Sequence, residues 1–482
     1  MATAYKTPGV YIEEIPKFPP SIAPVATAIP AFIGYTRKAE NRTAADLHLK
    51  PTRISSMIEY EKYFGGAQSE EAISVTVTVT QVNGATTDQR AVAILSEAAR
   101  SKHIMFYALQ VYFANGGGPC YVVSVNPYTA LPGTPLLADL TAGLNTLVKA
   151  DEPTLIVFPE AQSLSIADFR ALHDAALQQC ADLQDRFVIM DVHGGVDGVT
   201  PISLSDPDAN LLTAIGNFRD AGIGTNNLKY GAAYAPNVET VLDLAYDESS
   251  TDVSVVTNGV VAAAVALNTL NGTQNQVYEL AKTAIRDFPC KLPPSSAIAG
   301  IFAAVDNSRG VWKAPANVSV NAVIQPTIQM SNRDQESINV DVTAGKSVNA
   351  IRSFTGKGPL VWGARTLAGN DNEWRYVSVR RFFIFVEESV KKATEQFVFE
   401  PNDANTWVKI QAMIENFLTT LWRQGALQGV KPEHAFYVAV GLGKTMTALD
   451  LLEGRLIIEI GMAAVRPAEF IILRFSHKMA ES

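Results

Sequence analysis

The string GLGKTMT at residues 441–447 places Gly443, Lys444 and Thr445 in the order that ends a phosphate-binding loop. Such a loop presents backbone N–H groups, an ammonium and a hydroxyl to a polyphosphate, and it needs an earlier glycine so that the backbone can close around the anion. The position for that glycine holds Val438. The string therefore reads as a structural turn after the apolar run AFYVAV. A second candidate, MDVHGGVDG at 190–198, sets Asp191, His193 and Asp197 at a strand end, where open α/β sheets bind ligands. These residue types could hold a metal or supply a base. No HExxH, no nearby second histidine and no Gly-x-Ser-x-Gly elbow accompanies them, so a glycine-rich loop is the preferred reading. NGGGP at 115–119 precedes its strand instead of following it, the reverse of a dinucleotide fingerprint. His48, His103, His173, His193, His434 and His477 are scattered, and a catalytic triad cannot be read from them.

A dense charge cluster is a different kind of candidate. Arg380 and Arg381 stand near Glu387, Glu388, Lys391 and Lys392 on an expected helix. One reading is a solvated face whose pairs at helical spacing contribute about 0.2–0.5 kcal/mol each. The other is a contact surface for a partner.

The elements that must position these residues follow from bulk properties and periodicity. A chain of 482 residues exceeds one hydrophobic core and implies several domains. Apolar residues make up 47% and charged residues 18%, a low charged share that suggests surface covered by other chains. The net charge of −9, with no basic block, argues against nucleic acid as a partner. Cys120, Cys180 and Cys290 are too widely spaced for a disulfide framework or a zinc knuckle, and they read as buried thiols. No signal peptide and no membrane-length apolar run is evident, so folding is expected to begin in the cytoplasm.

Six prolines in residues 1–35 predict an extended arm, followed by the apolar strand TAIPAFIGYT. Ser56 with Glu59 predicts a capping box and a short helix to Phe64. ISVTVTVTQV at 73–82 alternates as a strand, with NGATTD as its turn, in what is expected to be a local insertion. From 119 onward, apolar strands (CYVVSV, TLIVF, RFVIMD, YGAAYA) alternate with helices near 136–149, 166–183 and 208–221. Continuous apolar strands separated by helices predict a doubly wound α/β layer. A second domain is expected beyond, because every tryptophan lies after residue 311. Its helix at 403–424 carries Trp407, Ile410, Ile414, Phe417 and Leu421 on one stripe, ended by Gly425. The chain closes on two apolar segments hinged at Pro467, the second strand-like and without an evident partner.

Several stretches together resemble the contractile tail sheath family of phages, pyocin-like particles and extracellular injection systems. They are TPGVYIEEI at the start, PPSSAIAGIFAAVDNSRGVWKAPAN at 293–317, then GPLVWGARTL, RYVSVRRFFIFVEESVKKATEQFVFEPND, LWRQGAL and AEFIILRFSHKM. The similarity covers nearly the whole chain, most specifically 293–482.

The resemblance implies a subunit that stacks in hexameric rings, as a helical sheath around an inner tube, with baseplate and tail-terminator proteins as further partners. It implies no cofactor, no metal, no nucleic acid and no membrane insertion. It also implies two arms that add strands to the C-terminal-domain sheet of neighbours. By position the N-arm is Thr7, Pro8, Gly9, Val10, Tyr11, Ile12, Glu13, Glu14 and Ile15. The C-arm is Glu469, Phe470, Ile471, Ile472, Leu473, Arg474, Phe475, Ser476 and His477. Arg380, Arg381, Lys391 and Lys392 become a candidate contact with a subunit or with the tube.

The expected division is an arm and strand at 1–35, an outer region at 36–118 with a β insertion near 70–90, an α/β middle domain at 119–345, a C-terminal α+β sheath domain at 346–465 and the C-arm at 466–482. The rival readings are an α/β hydrolase-like or subtilisin-like enzyme, which would need a nucleophile signature that the sequence lacks, and a monomeric binding module.

Overall fold

The computed structural model describes residues 21–96, 98–194 and 207–474. These divide into two compact units, 26–385 with 466–474, and 21–25 with 386–465.

The larger unit is built on a nine-stranded sheet. Its spatial order is Val318–Ser319, Gly358–Val361, Val348–Phe354, Gly231–Ala235, Phe187–Asp191, Leu155–Val157, Pro30–Thr36, Cys120–Pro127, Thr52–Ile54. The six strands from Val348–Phe354 to Cys120–Pro127 are parallel, and the outer ones are antiparallel. Parallel strands need helical crossovers that cover them, which is why their side chains are apolar without alternation. Helices Met105–Ala114 and Ser295–Arg309 pack together, and Leu137–Thr146 packs on Ile166–Leu183. The first pair approaches closely because Gly300 has no Cβ; an added one would run into the Tyr112 carbonyl.

The strands and helices expected between 119 and 235 all form, the helix at 166–183 with the bounds Ile166–Leu183. Two features differ from expectation. The apolar strand after the proline-rich start, Pro30–Thr36, lies inside the sheet, third from one edge, with every residue buried. The hairpin Ile73–Val82 and Ala85–Leu95 is not self-contained either: Ile73–Val82 also pairs in parallel with Asp252–Thr257, far along the chain. Its turn is shorter than NGATTD, just Asn83 (φ 52°) and Gly84 (φ 81°), the left-handed pair that matches strand twist. Val75, Val77 and Val79 face inward, and the helix Asn275–Arg286 packs on this hairpin. The expected capping box at Ser56 is half formed. Ser56 accepts the Glu59 N–H, whereas the Glu59 carboxylate is taken by the N–H and hydroxyl of Ser55.

The division between the units falls at Phe385/Val386, inside the helix Val377–Thr394, and not at the compositional change near 346. Strands Val348–Phe354 and Gly358–Val361 extend the α/β sheet. In the smaller unit the helix Ala404–Arg423 is capped by Asp403, whose side chain accepts the Thr406 N–H, and Gly425 follows its end at φ 84°. Ile410, Ile414, Phe417 and Leu421 are buried on its inner stripe. That face packs on Phe436–Val440, which pairs antiparallel with Ile458–Met462 as a two-stranded sheet.

Candidate assembly site

The loop at 441–447 spends its donors on itself. The N–H groups of Lys444, Thr445 and Met446 point to the Gly441 carbonyl, at 3.2, 3.0 and 3.2 Å, and Gly443 donates to the Met446 carbonyl at 2.9 Å. An anion would find none of these donors available, so the loop is a turn closed by its own backbone. At the other strand end, Asp191 is buried and accepts the Ser295 N–H at 2.7 Å and its hydroxyl at 2.6 Å. It caps, from a distance in sequence, the helix Ser295–Arg309, whose own preceding residue is Pro294. Burial raises the Asp191 carboxyl to about 7 against the lowering effect of the Ser295 bonds. His193 is tied to the Leu164 carbonyl at 2.8 Å; Asp197 lies outside the described residues. His103 and Glu160 face one another at 3.7 Å with both side chains fully enclosed, which makes a polar pin in the core with no opening to a substrate. Among the described residues no group of three metal-ligating side chains converges, and no helix is long and apolar enough to cross a membrane.

The four cations expected to share one face have different environments. Arg381 forms a two-pronged pair with Asp306, at 3.1 and 2.5 Å, with both side chains 3% exposed. It also donates to the Thr27 carbonyl at 2.8 Å and lies 4.5 Å over the Phe302 ring. Arg380 is buried too, stacked on Trp374 at 4.6 Å and Tyr230 at 5.0 Å. Both guanidiniums can be turned inward because a planar, delocalised cation packs on rings, forks onto a carboxylate and is less strongly hydrated than an ammonium. Lys391 and Lys392 remain at the surface, both reaching Glu388, at 3.2 and 3.6 Å.

The C-terminal arm changes character within one residue. The Glu469 carboxylate accepts from Arg365 Nε at 2.9 Å and Nη2 at 2.7 Å, from Asn339 Nδ2 at 2.8 Å and from the Tyr376 hydroxyl at 3.1 Å. Burial alone would raise this carboxyl, but the bonds from Arg365 and Asn339, the Arg365 charge and the Tyr376 hydroxyl together hold it below its ordinary value. The next four residues are 68%, 79%, 77% and 72% exposed: Phe470, Ile471, Ile472 and Leu473. They form no strand. A strand requires a ladder partner, and these residues have none among the described residues. Pro467 to Ile471 run along one wall of a cavity of about 780 Å³ that Trp362, Tyr376 and Arg352 also line. The N-arm, Thr7–Ile15, and the end of the C-arm, Phe475, Ser476 and His477, lie outside the described residues. Sequence reasoning missed the partners of Glu469. The available signal was that Arg365 and Tyr376 fall inside GARTL and RYVSV, two of the stretches that carry the resemblance.

Among the described residues, the α/β body thus ends in an exposed apolar run, Phe470–Leu473, that pairs with no strand. The family described as the phage tail sheath C-terminal domain matches residues 369–478. A chain in the cryo-EM structure of the contracted helical sheath of the anti-feeding prophage is 30% identical, with a TM-score of 0.60 over 98% of this chain and 100% of that one. A chain in the six-fold symmetrised baseplate of the same particle is 31% identical, with a TM-score of 0.62 over 99% and 100%. The tail sheath protein of Burkholderia phage BcepMu is 30% identical over 161 residues, a segment spanning 32% of this chain and 32% of that protein. The chain belongs to the contractile tail sheath family.

Proposed function

We propose that this sheath subunit polymerises as stacked hexameric rings around an inner tube and that the stack contracts to drive the tube through a target envelope. The observation that carries this reading is the run Phe470–Leu473, four large apolar side chains in a row, exposed and without a ladder. Left in water, such a segment is an aggregation hazard; paired on another copy, it becomes a link.

The open two-stranded sheet of Phe436–Val440 and Ile458–Met462 is the acceptor, with N-arm and C-arm strands from neighbours added to it. Each backbone bond nets about 0.5–1.5 kcal/mol, so one arm is a modest link and the repeated mesh is a strong one. The extended sheath is then a kinetically trapped state that relaxes when its end is released. Lys391 and Lys392, at the surface beside Glu388, are the cations of the cluster that would face an acidic neighbour or tube surface. Baseplate and terminator proteins bound the stack, and assembly takes place in the cytoplasm before the particle is released.

Deleting residues 470–482, or 1–15, should leave a folded subunit that forms no cylinders in negative-stain images. Ordered tubes of normal yield from either truncation would sink the arm reading.

A further inference from the structure

We propose that Glu469 is the fixed foot of the C-terminal arm, and that Arg365 and Asn349 carry load from this foot into the nine-stranded sheet. The proposal rests on reading the residues after Glu469 as an inter-subunit strand. Its geometry stands independently of that reading.

Arg365 is 4% exposed on its side chain, and a buried guanidinium is tolerable when a carboxylate answers it in good geometry. Glu469 gives that answer by accepting from two of the guanidinium nitrogens, while Asn339 and Tyr376 donate to the same carboxylate. Arg365 is itself held by main-chain bonds. Its N–H donates to Asn349 Oδ1 at 2.7 Å, and its carbonyl accepts from Asn349 Nδ2 at 2.8 Å. Asn349 is fully buried on the strand Val348–Phe354 and also donates to the Ala233 carbonyl, at 3.2 Å, on the neighbouring parallel strand. The loop before Arg365 is pressed against the same side chain, since a Cβ at Gly363 would lie 2.7 Å from Asn349 Oδ1. Three side chains thus connect the arm to two adjacent strands in the interior of the sheet.

The joint of the arm therefore lies after Glu469, and the hinge expected at Pro467 is on the clamped side of it. Two consequences follow for assembly. A pull on the arm by a neighbour is delivered into the interior of the nine-stranded sheet. The distance from the foot to the first paired residue also selects the register, and a slip of one residue would turn every arm side chain to the wrong face.

The test uses the full-length chain. Changing Arg365→Met together with Glu469→Leu removes the clamp without leaving a buried charge unpaired, and Glu469→Gln is the milder variant should the double change impair folding. In either, the mobility of a nitroxide label at Ala468 should rise at least threefold in the unassembled subunit, and the yield of cylinders at equal protein concentration should fall at least tenfold. The exchanged pair, Arg365→Glu with Glu469→Arg, should recover part of both. Unchanged label mobility overturns the foot, and raised mobility with a normal yield of cylinders overturns its role in load and register. The deletion of 470–482 separates the two proposals. If that deletion still assembles, the arm reading fails; if it blocks assembly while the clamp variants assemble normally, the foot alone falls.

Discussion

Two apolar segments of similar composition have opposite fates in this chain. PAFIGYT at 30–36 is buried at every residue inside a sheet, while FIILR at 470–474 is exposed throughout. Propensity does not separate them, since both are rich in strand-forming residues. The difference is that Pro30–Thr36 meets a parallel neighbour on each side, whereas the arm leaves the fold immediately after a clamped carboxylate. Apolar composition alone does not bury a segment; a strand neighbour within the fold must be in place to receive it.

Substitutions can break or sharpen this contrast, and the largest effects belong on the buried side. Phe32→Ala should cost about 3–5 kcal/mol, read as a fall in urea midpoint of the unassembled subunit. Arg381→Ala strands the buried Asp306 charge and should cost a comparable ~3–5 kcal/mol. Retained stability would return Arg381 to the surface reading. A smaller, pH-dependent effect is expected at Asp191. Its folded carboxyl is raised from 3.8 to about 7, so the stability linked to it is fully present below the unfolded value and is lost as pH rises through 7. Asp191→Asn should flatten the stability profile between those limits, and an unchanged profile would remove Asp191 as its source.

On the exposed side, Ile472→Asp should change the stability of the subunit by no more than about 0.5 kcal/mol and yet abolish cylinders. A large loss of thermal stability would mean that the arm packs on its own body. Lys444→Ala is the smallest change, within about 0.5 kcal/mol and without effect on assembly; a nucleotide turnover lost in this variant would reopen the phosphate-loop reading.

Much of the fold was legible because local signals and long-range packing agree in it. The helix expected at 166–183 forms as Ile166–Leu183, and Asn83–Gly84 marked a hairpin. The apolar stripe on Ala404–Arg423 gave its inner face, with Trp407 only partly covered. Partnerships between distant residues were not legible. A capping carboxylate can come from any strand end, so nothing in PPSSAIAG announces Asp191. Charges also read alike in sequence: Arg380, Arg381, Lys391 and Lys392 looked like one face, although two of them are core residues.

Sequence by itself established the family, the alternation of strands and helices, and the absence of a complete phosphate loop, because these depend on residue types at short, fixed spacings. Tertiary structure alone decided that the strand Pro30–Thr36 lies inside the sheet, that Arg381 is a buried tie and that residues 470–474 are exposed. Those outcomes depend on which distant groups meet, and a carboxylate such as Glu469 becomes a foot only where a buried arginine and its neighbours are already in place to receive it.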